Sequence, residues 1–367
     1  MAEGLLAQPT VPLVEDLPIA HVLAFAGARP GLVASEDGAG NVVVQFHGGE
    51  ADASRPLVLV AHLDHPGFSV EAVDGAHATV TFRGGLAAEH AQAGSPLDLF
   101  RRGQRDPVGR GELVDADADE RRLTGGHARL LEGDVAPGDF AMWGFPGFEV
   151  VDGHIRGRVC DDLLGAAAVL AALDEVARRA PDGAEVWGLF TRAEEIGFLG
   201  ALEAIRRKTV PDGASVISVE CSQALSGAPQ GEGVIVRVGD RRSIFDPGLT
   251  AARHAAAGRV ASTDPGFRWQ RKLMDGGICE ASAFLACGYR ASGLALPLGN
   301  YHNALDGGAG VGPEHVAVAD YLAGVRLLVE MGCSPALFDG PDGPPEWLAG
   351  PMARARQKLG TREAPGA

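Results

Sequence analysis

The chain has 367 residues, 46% of them hydrophobic and 22% charged, with a formal net charge of -16. That balance belongs to an ordinary globular protein rather than a disordered chain, and the length exceeds what one hydrophobic core supports, so two domains are expected. The acidic excess argues against nucleic acid and against an anionic membrane surface as partners. Residues 1–18 lack the basic start and apolar centre of a signal peptide. Nowhere do about 18 apolar residues run together, so no membrane span is expected. The five cysteines (Cys160, Cys221, Cys279, Cys287, Cys333) are an odd number with no CxxC spacing. They read as reduced thiols in a cytoplasmic protein, not as a disulfide framework or a thiolate zinc site.

Spaced apolar residues over Val14–Gly27 predict a helix. Asn41–Phe46 (NVVVQF) and Pro56–Ala61 (PLVLVA) predict strands. Between Val70 and Gly153 the helical rhythm disappears, and short alternating runs such as Ala78–Phe82 (ATVTF) lie between glycine pairs and charged turns. This stretch reads as a small all-β, barrel-like insert. Strand–helix alternation then sets in. A helix is predicted over Asp161–Arg179 and stopped by Pro181, then a strand over Glu185–Thr191 (EVWGLFT) and a helix around Gly200–Lys208. Ala214–Val219 (ASVISV) reads as strand, Ala281–Cys287 as helix, Ser292–Leu298 (SGLALPL) as strand and His315–Met331 as a last amphipathic helix. The fold class is α/β, a mostly parallel mixed sheet with helices on both faces. The expected division is a discontinuous main domain of residues 1–69 and 154–334, an inserted β domain of residues 70–153, and a Pro- and Gly-rich tail of residues 335–367 with one short helix near Pro345–Leu359.

The chemistry-bearing residues collect at strand ends. His62 and Asp64 follow PLVLVA, Glu194 and Glu195 follow EVWGLFT, Glu220 ends ASVISV, His302 lies just past SGLALPL, and Asp161 opens a helix. Open α/β sheets bind ligands beyond the carboxyl ends of their strands, so several separate runs deliver His or carboxylate groups to one sheet edge. Taken singly each has a plainer reading: Asp161 and Asp162 could charge a helix N-terminus, and His47, His127 and His254 read as ordinary hydrogen-bonded histidines. Together, His62, Asp161, Glu195, Glu220 and His302 read as metal ligands. Imidazole and carboxylate suit zinc, with cobalt or manganese as alternatives. Two ions share such a site when one carboxylate bridges them, which leaves one member of the Glu pair free to act as a general base.

These segments resemble the co-catalytic metallopeptidases of the glutamyl aminopeptidase, or tetrahedral aminopeptidase, family. AHLDHPGF (Ala61–Phe68) is similar to its His-x-Asp motif, GRVCDDLLG (Gly157–Gly165) to its Asp-Asp motif and TRAEEIGFLGA (Thr191–Ala201) to its Glu-Glu-x-Gly segment. SVECS (Ser218–Ser222) and GNYHN (Gly299–Asn303) hold the last two ligand positions in order, and GGICEASAF (Gly276–Phe284) resembles the Gly-rich stretch bordering the substrate. The resemblance implies a zinc-peptidase-like fold in which Asp161 bridges two ions. His62 and Glu220 complete one, Glu195 and His302 the other, while Glu194 is the general base and Asp64 orients His62. The chain departs from the family pattern at Glu220 (usually Asp), at Leu163 (usually Arg) and at His65–Pro66 (usually starting with Glu).

The function expected is an aminopeptidase that removes N-terminal residues from peptides with a water activated by two divalent ions, in a homo-oligomer. A deacylase or carboxypeptidase of the same clan is the alternative within that chemistry. A catalytically silent, metal-binding assembly protein is the alternative outside it.

Overall fold

The computed structural model describes residues 1–338 and 346–359. The chain starts with two helices, α1 (Ala2–Leu6) and α2 (Asp16–Gly27), a hairpin of β1 (Leu32–Glu36) and β2 (Val42–His47), and the fully buried strand β3 (Leu57–His62). Along β3 the side chains alternate between two cores. Leu57, Leu59 and Ala61 pack on one face of the sheet, and Val58 and Val60 on the other, as the two-residue period of a strand requires.

Six antiparallel strands follow and close into a barrel: β4 (Gly67–Asp74), β5 (His77–Arg83), β6 (Pro96–Phe100), β7 (Gly109–Asp119), β8 (Arg122–Gly133) and β9 (Phe140–Trp143), in the order β4-β5-β8-β7-β6-β9. In β5, Ala78, Val80 and Phe82 point into the barrel core while their neighbours face outward, the alternation that marked this region in the sequence. Phe68 is the hub of that core, edge-on to Phe82 (centroids 4.9 Å apart) and to Trp143 (5.1 Å). Two short strands, β10 (Glu149–Val151) and β11 (His154–Gly157), lead out.

The remainder is α3 (Leu163–Arg179), β12 (Glu185–Thr191), α4 (Leu199–Arg207), β13 (Ser215–Gln223), β14 (Val234–Asp240), α5 (Pro247–Thr263), β15 (Trp269–Met274), α6 (Glu280–Ala286), β16 (Arg290–Leu298), β17 (Glu314–Ala317), α7 (Val318–Gly332) and α8 (Glu346–Leu359). The main sheet has eight strands in the order β1-β2-β12-β3-β13-β16-β14-β15. Its centre, β12-β3-β13-β16, is parallel throughout, and antiparallel pairings occur towards the two sides. Helices α3, α5 and α7 contribute to the core on one face, and α4 and α6 to the core on the other. The α/β class and its barrel-like insert are as expected. The five cysteines form no disulfide, and no described helix is long and apolar enough to cross a membrane.

Several elements were not anticipated, among them α1, β1, β11, β14, α5 and β15. Helix α5 is alanine-rich and shows no apolar stripe, so its start is announced only by Asp246, whose side chain accepts the Leu249 N–H, and by Pro247 in the first turn. Strand β15 (WQRKLM) lies at the sheet edge with a largely polar sequence. The helix expected from His315 begins instead at Val318. Residues Glu314–Ala317 form β17, paired antiparallel with β11, because a tertiary partner offers their backbone a ladder that local periodicity cannot reveal. Helix α8 coincides with the short helix expected in the tail, whose Pro345 lies outside the described residues.

Replacement of Phe68 by Ala removes the aromatic hub of the barrel, with an expected loss of about 3–5 kcal/mol. The check is a denaturant titration of the purified variant, in which the midpoint falls.

Candidate metal centre

The four parallel central strands end at one edge, and each carries a functional residue there. His62 is the last residue of β3 and is paired in register with Thr191 of β12; Glu194 and Glu195 follow three and four residues later. Glu220 lies near the end of β13 opposite Ala295 of β16, and His302 follows the end of β16 in a left-handed turn (φ +54°). Asp161 enters from the segment between β11 and α3. The turn after β12 is tight because Gly200 lies against it: a Cβ there would stand 2.5 Å from the Arg192 backbone nitrogen. This accounts for the Gly-Ala that trails the Glu pair in the sequence.

Six of the seven candidates, all but Asp64, line one cavity of about 920 Å³. His62 Nε2 lies 3.6 Å from Asp161 Oδ1, 3.9 Å from Glu220 Oε2 and 4.0 Å from Glu194 Oε2. His302 Nε2 lies 3.5 Å from Asp161 Oδ2 and 3.1 Å from Glu195 Oε1. The two oxygens of Asp161 thus face different imidazoles. Both rings present Nε2 to the acids because Nδ1–H is used elsewhere, donating to the Asp64 carbonyl from His62 (3.0 Å) and to the Gly85 carbonyl from His302 (2.5 Å). Backbone-anchored imidazoles of this kind are the usual arrangement of metal-ligating histidines.

Asp64 acts mainly on the Glu pair. Its carboxylate accepts the N–H of Glu194 (2.9 Å) and of Glu195 (3.1 Å) and stands 3.6 Å from His62 Nδ1. Ser218, two residues before Glu220 on the same face of β13, donates its hydroxyl to Glu220 Oε1 (2.8 Å). By contrast His47 pairs with Glu185 (2.7 Å), His127 with Asp115 (2.8 Å), and His254 packs edge-on to Trp269. None of these three joins the cluster.

The electrostatics show what such crowding does. Burial drives Glu194 well above the usual carboxylate range, with Glu195, Glu220 and Glu280 adding repulsion. Burial also raises Glu220, to about 7, although His62 and Arg237 oppose it. Burial would lower His62 and His302, yet the surrounding acids (Glu194, Asp161 and Asp64 for His62; Glu195 and Asp161 for His302) hold both well above the ordinary imidazole value. Asp161 is also opposed by its burial, but its contacts with the two imidazoles hold it below the carboxylate range.

The donor set fits divalent ions. Among the described residues, two groups have donor atoms within 4.8 Å of one another: His62, Asp161 and Glu195, and His62, Glu194 and Glu220. Asp161 Oδ1 and Glu195 Oε1 are buried without a hydrogen-bond partner, which is costly unless something else satisfies them. Nitrogen and carboxylate oxygen without thiolate suit zinc, cobalt or manganese.

Residues 126–306 match the sequence model of the M42 glutamyl aminopeptidases. Over that stretch the chain is similar to that family. No curated protein matches it. Among solved structures, an aminopeptidase from the archaeon Desulfurococcus kamchatkensis superposes with a TM-score of 0.75 at 17% identity, over 94% of this chain and 97% of the other. The Pyrococcus horikoshii TET1 peptidase gives 0.71 at 18%, over 88% and 96%, and yeast aminopeptidase 1 gives 0.67 at 12%, over 92% and 97%. At such identities the likeness establishes the fold.

Further residues around the candidate ligands were not marked by any sequence reading. Glu314 accepts three backbone N–H groups at the site and Glu280 is fully buried close to Glu220 and His62, where burial raises it to about 8. Glu280 lies within the quoted GGICEASAF segment, whereas Glu314 sits in no motif and carried no signal.

Because His62 and His302 are held above the ordinary imidazole value, both carry protons near neutrality until a cation displaces them. Apparent metal affinity is therefore expected to rise with pH. Titration of apoprotein with zinc in weakly buffered solution should release protons, and the release should shrink as the starting pH is raised. A pH-independent affinity would contradict this.

Proposed function

We propose that the chain is a metal-dependent aminopeptidase, hydrolysing N-terminal residues from peptides with two divalent ions, zinc in the first place. The observation that carries this reading is the placement of Asp161, whose two carboxylate oxygens face His62 at 3.6 Å and His302 at 3.5 Å. A carboxylate so placed can serve two ions at once. His62 and Glu220 would hold one ion, Glu195 and His302 the other. When bound, the ions supply Lewis acidity that polarises the scissile carbonyl and acidifies water.

The chain's own groups supply the rest. Glu194 is not needed as a ligand in this assignment; it lies 4.0 Å from His62 and lines the cavity. It takes the proton of the attacking water and returns it to the leaving amine. Asp64, by holding the N–H groups of Glu194 and Glu195, keeps the base and its neighbouring ligand apart. The acidic floor suits a substrate ammonium group, which favours exopeptidase over endopeptidase action. The family match supports peptide hydrolysis. The same reading takes residues 70–153 as an inserted domain on the catalytic domain of residues 1–69 and 154–334, with residues 335–367 as a tail. A homo-oligomer is part of it too, since the TET1 peptidase assembles into a tetrahedron or a large octahedral shell.

A panel of aminoacyl nitroanilides and N-acyl amino acids, assayed with zinc, cobalt and manganese, tests the activity. Cleavage of the nitroanilides alone is expected; cleavage of the N-acyl amino acids alone would make the protein a deacylase instead. Glu194→Gln should lower kcat by about 10²–10⁴-fold, the usual worth of a general base, while two ions per chain remain. Loss of an ion from this variant, with both kept in Glu195→Gln, would reverse the two roles. Asp161→Ala should deplete both ions and cost more metal than any other single ligand change, because the loss of a bridge leaves two cations repelling one another; metal analysis after dialysis measures this.

A further inference from the structure

His65 stands where the resembling family usually carries Glu, and the mechanism above gives it no task. It is 1% exposed, and its ring lies edge-on to that of His302, centroids 6.3 Å apart. Nδ1–H donates to the backbone carbonyl of Asp161 at 2.5 Å, and Nε2 sits 3.0 Å from Oδ1 of Asn303. The orientation of the Asn303 amide is settled by its own Nδ2, which donates to the carbonyls of Arg158 (3.2 Å) and Gly312 (3.1 Å).

Glu314 reaches the same two segments from β17. Its Oε2 accepts the N–H of Cys160 (2.6 Å) and of Asp161 (2.9 Å), and its Oε1 accepts the N–H of His302 (2.8 Å). The Asp161 residue is thus gripped at its N–H by Glu314 and at its carbonyl by His65. Each gripping side chain also holds the His302–Asn303 turn with its other end. That turn needs holding, because His302 (φ +54°) and Asn303 (φ +63°) are consecutive non-glycine residues in the left-handed region. Among the described residues no comparable device ties Asp161 to His62 and Glu220, which lie on the hydrogen-bonded strands β3 and β13 of the main sheet.

We propose that His65 and Glu314 form a clasp that sets the spacing between Asp161 and His302, so that they are positioning residues for the ion on the Glu195–His302 side and not for the ion on the His62–Glu220 side. The proposal rests on the two-ion reading above. Outer groups that hold metal ligands typically contribute 10–100-fold to affinity, and here that contribution falls on one ion of the two.

The test is a chelator titration of the full-length, cobalt-loaded protein, followed by metal analysis and by the visible absorption of cobalt. Wild type should hold two ions. In His65→Ala and in Glu314→Gln one ion should leave at a chelator concentration about tenfold or more lower, the other being retained as in wild type. It should be the ion that His302→Ala also loses, so the double variant His65→Ala/His302→Ala should loosen nothing further. His65→Asn, whose side-chain amide can keep the bond to the Asp161 carbonyl, should hold that ion better than His65→Ala and reports on the clasp if the alanine variant fails to fold. Equal weakening of both ions, unchanged release of both, or loss of the ion that His302→Ala retains would overturn the clasp. A wild-type protein with fewer than two ions would overturn the two-ion reading beneath it.

Discussion

Like charges buried together are the constraint on which this structure turns. Asp161, Glu194, Glu195 and Glu220 crowd the floor of one cavity, and the ion pairs they make are with His62 and His302. Burying a carboxylate is costly unless it is paired, and four acids against two imidazoles are not balanced by the side chains alone. Without ions the cluster compensates by taking up protons, which is why burial and mutual repulsion raise Glu194 and Glu220 while the acids raise both histidines. Divalent cations would relieve the same imbalance with charge. An acidic floor of this kind is thus suited to a divalent cation.

Holding such a cluster open calls for a scaffold stiffer than the repulsion within it. Three parallel strands do most of this work, since β12, β3 and β13 are flanked on both sides, buried on both faces and end together. What strands cannot hold is held by carboxylates placed on backbone N–H groups. Asp64 fixes the Glu194–Glu195 turn, and Glu15, itself fully buried, receives the Ala193 N–H and the Arg192 guanidinium just before it. Glu314 does the same for Asp161 and His302. Acids outside the candidate ligand set thereby position acids within the cluster.

The barrel takes part in the site as well. Its β5 ends at Arg83, and the following Gly85 carbonyl accepts His302 Nδ1–H and so selects the ring nitrogen that faces the cavity. Gly84 adopts φ +124° directly over Pro66, where a Cβ would meet the proline ring at 2.7 Å. The strand leaving the His-x-Asp motif and the loop leaving β5 therefore come together at this point. Arg122 and Thr124 of β8 line the same cavity, so its walls come from the barrel as well as from the sheet.

Residues with a local signature were legible in the chain. EVWGLFT is continuous and apolar, so its strand is found with the right bounds; ATVTF alternates, so the barrel's inner face is found. The candidate ligands His62, Asp161, Glu195, Glu220 and His302 stood out because hydrophobic runs ended on charge, and charge at the end of a buried strand has few structural uses. Other features had no local trace. Helix α5 lacks a stripe because alanine packs on any side, and β17 is a strand only because β11 offers it a ladder. Glu314 is an unremarkable Glu until folding places three N–H groups around it. His65 shows as a departure from a pattern, but its partners are 96 and 238 residues away in the chain. The sequence by itself determined which residue types would meet at the sheet edge, since hydrophobic period and strand polarity are local properties. Only the tertiary structure decided which atoms face one another and what holds them there, because hydrogen-bond direction across the molecule depends on segments that come together only in the fold.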